Sequence, residues 1–113
     1  MKLVRYGKAG FEKTAVLVGD KMIDVGGEFP NYDEDFFVND GLKALGSWVE
    51  AGCVGGREIV GSLDSEGDRI AAPISRPSKF VCVGKNYVEH ALEFGEDVPT
   101  EPVLFMKASS AYS

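Results

Sequence analysis

Short apolar runs separated by turn residues dominate the start of the chain. Residues 2–7 (KLVRYG), 14–19 (TAVLVG) and 21–26 (KMIDVG) are rich in Val, Ile, Leu and Tyr, and each run ends in glycine. Runs of this kind are typical of β-strands, and Gly19 with Asp20 is typical of a tight hairpin turn. The pattern predicts a small antiparallel sheet.

The spacing of apolar residues becomes helical over residues 39–52. The apolar positions fall at intervals of three and four and form one stripe: Leu42, Leu45, Trp48 and Val49. We expect Asn39 or Asp40 to cap the start of this helix and Gly52 to end it. The first domain is therefore predicted to combine an antiparallel sheet with one helix over residues 1–72.

Residues 53–78 are polar and irregular and contain Pro73 and Pro77, which is typical of a linker. The continuous apolar run 80–84 (FVCVG) then predicts a strand covered on both faces. Residues 86–95 predict a short helix in which Asn86 and Glu89 form a capping box.

A second buried strand is predicted at 102–107 (PVLFMK), so residues 73–113 hold a linker and one strand-helix-strand unit. The fold class is α+β. Two strands do not enclose a core. The second unit is thus either the start of a longer domain or a segment that packs back onto the first.

The charge balance narrows the classes of partner. Twelve basic and eighteen acidic residues give a net charge of -6, and the basic residues form no run. This balance disfavours nucleic acid and anionic membrane surfaces, which require clustered positive charge. The start of the chain does not resemble a signal peptide, and Cys53 and Cys82 lack metal-site spacing, so we expect a cytoplasmic protein with reduced thiols.

The only histidine, His90, lies in the predicted second helix with Glu93 three residues further on. This spacing places both side chains on one helix face. A carboxylate that accepts one ring N–H orients the imidazole, so that its other nitrogen can take a proton from water, as a general base does. A lone histidine near a helix start is also common as a structural residue, and the spacing alone leaves both interpretations open.

Two lysines follow the predicted strands of the second unit. Lys85 comes directly after the first strand, and Lys107 ends the second. If a helical crossover makes these strands parallel, both amines lie at one edge of the sheet near His90. This arrangement would suit an anionic ligand, although lysines at strand ends are often only solvated.

The two blocks FVCVGKNYVEHALEFG and EPVLFMKASSAYS together resemble the opening of the catalytic domain in the fumarylacetoacetate hydrolase family. The resemblance is closest to the branch of acylpyruvate hydrolases and 5-carboxymethyl-2-hydroxymuconate isomerases. It covers residues 79–113 well, and the start MKLVRYG also resembles the N-terminal domain of bacterial members.

The resemblance implies a mixed β-roll catalytic domain and a divalent Mg²⁺ or Mn²⁺ ion that chelates a keto or diketo acid. It implies that His90 and Glu93 activate water for cleavage of a C–C bond. Asn86 and Tyr87 match the motif around the pocket, and Lys107 matches the lysine that closes the next strand, to which we assign contact with the substrate anion. Lys85 joins the expected substrate-binding residues because of its place after the first strand. Family members also include isomerases and decarboxylases, and homodimers are common among them.

In the family, the metal ligands are a Glu-x-Glu pair and an Asp, and they lie downstream of the position that corresponds to residue 113. Glu66 and Asp68 imitate a metal loop but are better interpreted as solvated turn residues. We therefore expect these residues to form the N-terminal part of an enzyme and to be catalytically silent by themselves. The alternative is a non-catalytic interaction or dimerisation module, in which the apolar strands pair with a second chain.

Overall fold

The computed structural model of the protein describes residues 1–59, 69–84, 101 and 103–112. These residues form two compact units, Met1–Arg76 and Pro77–Tyr112. The predicted helix over 86–95 lies outside the described residues. The first unit combines a small antiparallel sheet with helices, as expected for the α+β class.

The three predicted N-terminal strands are confirmed. Strand β1 spans Lys2–Tyr6, β2 spans Lys13–Val18 and β3 spans Lys21–Asp24, and neighbouring strands are antiparallel. Gly19 adopts a φ of 62° in the turn between β2 and β3, a conformation that glycine reaches without steric cost. Strand β2 is the central strand, and its residues Thr14 to Val16 are buried.

Two further strands lie in the stretch that the sequence predicts as a linker. Strand β4, Arg57–Glu58, pairs with β3, and strand β5, Ile70–Ala71, pairs with β1, so that the sheet has the order β4-β3-β2-β1-β5. Each of these strands is two residues long. A run of two residues carries no recognisable period, and its pairing is decided by the open edge of a longer neighbour.

Two helices follow the sheet meander. Helix α1 spans Glu34–Val38 and is capped by Asp33, which accepts a hydrogen bond from the backbone N–H of Phe36 at 3.0 Å. Helix α2 spans Gly41–Glu50, within the range that the sequence predicts. Among the described residues, no helix has the length and apolar character that crossing a membrane requires.

The predicted side-chain cap of α2 is wrong. Asp40 occupies the capping position with a φ of 57° and makes no side-chain capping bond, while the Asn39 side chain donates to the backbone oxygen of Asp35. Both residues are used in the turn that joins α1 to α2, because α1 ends immediately before them. Gly41 follows in contact with Phe36, where an added Cβ would collide with the ring.

The core of the first unit lies between the sheet and α2. Its fully buried members come from strand, turn and helix: Val16, Val25, Tyr32 and Leu45. Trp48 and Val49 pack against this cluster, as the apolar stripe predicts, but Leu42 is 46% exposed. The position one residue earlier, Gly41, is the one that faces α1.

Tyr32 anchors two distant parts of the chain. Its hydroxyl donates to the backbone oxygen of Ala15 at 2.8 Å, and its own backbone oxygen accepts from the N–H of Ser75 at 2.7 Å. Burial raises the pKa of the Tyr32 hydroxyl, so the group stays a neutral donor. The segment that leads to the second unit is thereby attached to the core as far as Ser75.

Glu12 joins the hairpin between β1 and β2 to the segment that contains β5. Its carboxylate lies 3.5 Å from the guanidinium of Arg5 and 2.8 Å from that of Arg69. Arg5 also donates to the backbone oxygens of Ala72 and Ile74, at 3.4 and 3.1 Å. Since the Glu12 side chain is 12% exposed, these contacts are better shielded from solvent than an ordinary surface ion pair.

The second unit contains an antiparallel pair of strands. Strand β6 spans Phe80–Gly84 and strand β7 spans Val103–Lys107, so both predicted strands are confirmed. The parallel arrangement expected from a helical crossover is wrong. Phe80 lies opposite Lys107, and Gly84 lies opposite Val103. A long connection permits a parallel pair but does not require one.

We predict that Leu45→Ala lowers the free energy of unfolding by about 2–5 kcal/mol, because it leaves a cavity at a fully buried position. The matched control is Leu42→Ala in the same helix, where the side chain is 46% exposed and the loss should stay below about 1 kcal/mol. Denaturant unfolding of both variants measures the difference. Equal losses would contradict the packing described for α2.

We predict that Glu12→Gln destabilises the protein at neutral pH and that this difference disappears in acid. Hydrogen bonds from the backbone N–H groups of Glu12 and Gly10, followed by the charges of Arg5 and Arg69, hold the pKa of Glu12 below its usual 4.5. A lowered pKa adds stability above the unfolded-state value, and this stability is lost as the pH falls through the folded-state value.

Unfolding measured between neutral pH and about pH 3 tests this dependence. Glu58→Gln is the control, because Glu58 contacts Lys21 at 3.5 Å with both side chains about half exposed. We expect that control to change stability little at any pH. A Glu12→Gln effect that stays constant across the range would show that the carboxylate charge is unimportant.

Candidate functional site

Most of the predicted site lies in the part of the sequence that the structure does not describe. His90 and Glu93, the predicted water-activating pair, are in this part, and so are Lys85, Asn86 and Tyr87. Their roles stay predictions. Lys107 is the one predicted site residue among the described residues.

Lys107 is exposed at the end of β7 and lies opposite Phe80, whose ring packs against Tyr112 at 5.6 Å between centroids. The other end of the pair holds Gly84, after which the chain continues to Lys85. Four residues of extended strand separate the two ends by about 13 Å. The antiparallel register therefore removes the reason for placing both lysines at one edge of a sheet.

The strands that precede and follow the predicted site residues were expected to be buried, but they are largely exposed. All five residues of β7 are exposed, and in β6 exposed valines alternate with half-buried residues. Leu104 and Met106 are 62% and 66% exposed. The described residues of these strands thus form an exposed apolar surface, of the kind that often marks an interaction site.

A polar cluster at the C-terminal end of β3 was not predicted from the sequence. The Tyr6 hydroxyl donates to Oδ2 of Asp24 at 2.6 Å, and the backbone N–H of Gly26 donates to Oδ1 at 2.9 Å. The guanidinium of Arg57 lies 4.0 Å from Oδ2 of Asp24. The paired positions of β3 and β4 bring Asp24 and Arg57 together across the sheet.

The Tyr6 hydroxyl stays protonated in this cluster. Burial, followed by the hydrogen bond to Asp24 and the charge of Asp24, raises the pKa of Tyr6 to about 12, although Arg57 acts in the opposite direction. Tyr6 is therefore a neutral hydroxyl donor at physiological pH. Asp24 is held in one orientation by two donors, which suits a carboxylate that positions another group.

A cleft of about 290 Å³ lies beside this cluster. The end of β3, the start of β4, two turns and the last turn of α2 line it: Asp24, Val25, Gly27, Glu28, Trp48, Gly55, Gly56 and Arg57. No motif in the sequence indicates this cleft. Asp24 and Arg57 are far apart along the chain, and Arg57 lies in a stretch whose composition is typical of a linker.

Within the described ranges, no group of three or more His, Cys, Asp or Glu side chains lies close enough together to hold a metal ion. Glu66 and Asp68 lie outside those ranges. The described part of the chain therefore does not supply the oxygen cage that a magnesium ion needs.

The chain is similar to several bacterial proteins that carry provisional hydrolase names. It is 38% identical over 112 residues to one from Burkholderia multivorans, 37% identical to one from Burkholderia lata and 37% identical to one from Burkholderia ambifaria. Each match covers 98% of this chain. No protein-family profile matches the chain.

The chain spans 37% of the length of these relatives. Their names state a class of reaction, hydrolysis, and no substrate or metal. The similarity extends over residues of both units.

Proposed function

We propose that this chain forms the N-terminal part of a divalent-metal-dependent hydrolase that cleaves a C–C bond in keto or diketo acids of the acylpyruvate type. The observation that carries the proposal is the joint occurrence of the His90–Glu93 motif with hydrolase-named relatives that match 98% of the chain. The resemblance to the fumarylacetoacetate hydrolase family supplies the substrate class.

The chain's own contribution to the chemistry would come from two groups of residues. His90 takes a proton from water, and Glu93, one helical turn further on, accepts the other ring N–H and keeps the imidazole oriented. Asn86 and Tyr87 line the pocket, and Lys85 and Lys107 offer positive charge for a carboxylate of the substrate.

A bound Mg²⁺ or Mn²⁺ ion would supply Lewis acid chemistry, and its ligands are expected outside the residues of this chain. The exposed apolar surface of β6 and β7 supports the same proposal. Two strands alone do not form a stable sheet in water, and a longer protein of the size of the Burkholderia relatives has the residues to cover them.

The proposal is tested with the protein at the full length of its Burkholderia relatives. We expect hydrolysis of acetylpyruvate, or decarboxylation of oxaloacetate, that requires added Mg²⁺ or Mn²⁺ and stops when a chelator removes the ion. His90→Ala should lower kcat by about 10²–10⁴-fold, because a general base contributes by that factor.

Two measurements make this test decisive. His90→Ala must unfold at the wild-type denaturant concentration, so that the lost activity is not a loss of structure. Glu101→Gln is the matched control, since Glu101 is an exposed acidic residue in the same region and has no assigned role. Full activity in His90→Ala would show that the base is wrongly assigned, and inactivity on every acylpyruvate and on oxaloacetate would refute the substrate class.

The exposed strand pair also favours a second candidate function, a non-catalytic module that dimerises through β6 and β7. Exposed strand edges invite pairing with another chain, and the occupant would be a second copy. Light scattering of the 113-residue chain should then give twice the mass of the monomer. Leu104→Lys should restore the monomer, whereas the matched change Val54→Lys, at a 71% exposed position in the first unit, should not. A wild-type monomer would exclude this function.

A further inference from the structure

We propose that the cleft beside Asp24 binds a free α-amino acid with a small side chain. The site belongs to the first unit and shares no residue with the predicted hydrolase site. It therefore does not depend on the proposed reaction.

The size of the cleft suits a small polar ligand. Its volume of about 290 Å³ is just below the usual range for small-molecule sites, which is about 300–1,000 Å³. Its walls are built from two turns that carry glycines, Gly27 on one side and Gly55 with Gly56 on the other. Glycines let a ligand approach the backbone closely, although the N–H of Gly56 already donates to the backbone oxygen of Cys53 at 3.0 Å.

The charges of the cleft match both ends of an amino acid. Asp24 uses one lone pair on each carboxylate oxygen for Tyr6 and Gly26, and an ionised carboxylate has about four acceptor positions. Further acceptor positions of Asp24 are thus open to an ammonium group, and Glu28 adds a second carboxylate to the lining. Asp24 is held rigidly, with its side chain 20% exposed.

Arg57 supplies the complementary charge. Its side chain is 77% exposed, and its distance of 4.0 Å from Asp24 is longer than a hydrogen bond. The guanidinium is therefore loosely engaged by Asp24 and can bind a ligand carboxylate through two parallel hydrogen bonds. With two carboxylates and one guanidinium, the lining carries a net charge of about -1, which disfavours a keto acid or any other ligand that lacks a positive group.

Trp48 forms the apolar wall of the cleft and is fixed there. Its indole N–H donates to the backbone oxygen of Val54 at 3.0 Å, and its ring packs so closely on Gly56 that an added Cβ would lie 2.6 Å from it. A small aliphatic side chain of the ligand can pack on this ring. Trp48 is also the only tryptophan in the protein, so its fluorescence reports directly on the cleft.

The test is a fluorescence titration of the 113-residue chain with L-alanine, L-alaninamide and N-acetyl-L-alanine. We expect a saturable change with L-alanine, and binding of the two analogues weaker by about tenfold or more, because each lacks one charged end. Arg57→Gln should weaken L-alanine binding by about ten- to a hundredfold. Lys21→Gln, which removes one positive charge at an exposed ion pair in β3, should leave it unchanged.

Asp24→Asn tests the contact between the cleft and the ammonium group of the ligand. If this variant unfolds, Glu28→Gln tests the same contact at an exposed residue. Both should weaken L-alanine binding more than they weaken binding of N-acetyl-L-alanine. Three results would each overturn the proposal: no saturable change with L-alanine, equal binding of the amide, or wild-type affinity in Arg57→Gln.

Discussion

The register of the central strand β2 is the constraint on which the first unit depends. β2 is paired on both sides, and its residues Thr14 to Val16 are buried on both faces, so a shift by one residue would exchange the side chains that pack on the two faces. This register places Asp24 at the end of β3, where its side chain accepts a hydrogen bond from Tyr6 on β1, on the other side of β2. Asp24 is also paired with Arg57 on β4. The polar cluster and the cleft beside it thus follow from strand pairing rather than from a local motif.

The charges of this acidic protein are unequal in their structural effect. The pair Lys21 and Glu58 is half exposed and contributes little, whereas Glu12 is shielded and contacts both Arg5 and Arg69. Arg5 extends the same network to the backbone of the segment that contains Ala72 and Ile74. Together with Tyr32, this network holds the chain on the first unit up to the point where the second unit begins.

The two units differ in how completely they bury their apolar residues. The first has a closed cluster around Val16 and Leu45, and every buried side-chain polar atom among the described residues has a hydrogen-bond partner. The second unit exposes both strands of its antiparallel pair. The chain spans 37% of the length of its Burkholderia relatives, and the proposed hydrolase activity is that of a protein of their length. The amino acid cleft lies in the unit whose core is complete.

The sequence by itself determined the α+β class, strands β1 to β3, helix α2 and the strand positions of β6 and β7, because each element is a run of apolar residues long enough to be recognised locally. It also raised the hypothesis about His90 and Glu93, since that spacing is local to one helix. Only the tertiary structure decided the edge strands β4 and β5, the exposure of Leu42 and the antiparallel pairing of Phe80 with Lys107. It alone brought Tyr6, Asp24 and Arg57 together. These features depend on contacts between residues far apart in the chain, and such contacts leave no local pattern to read.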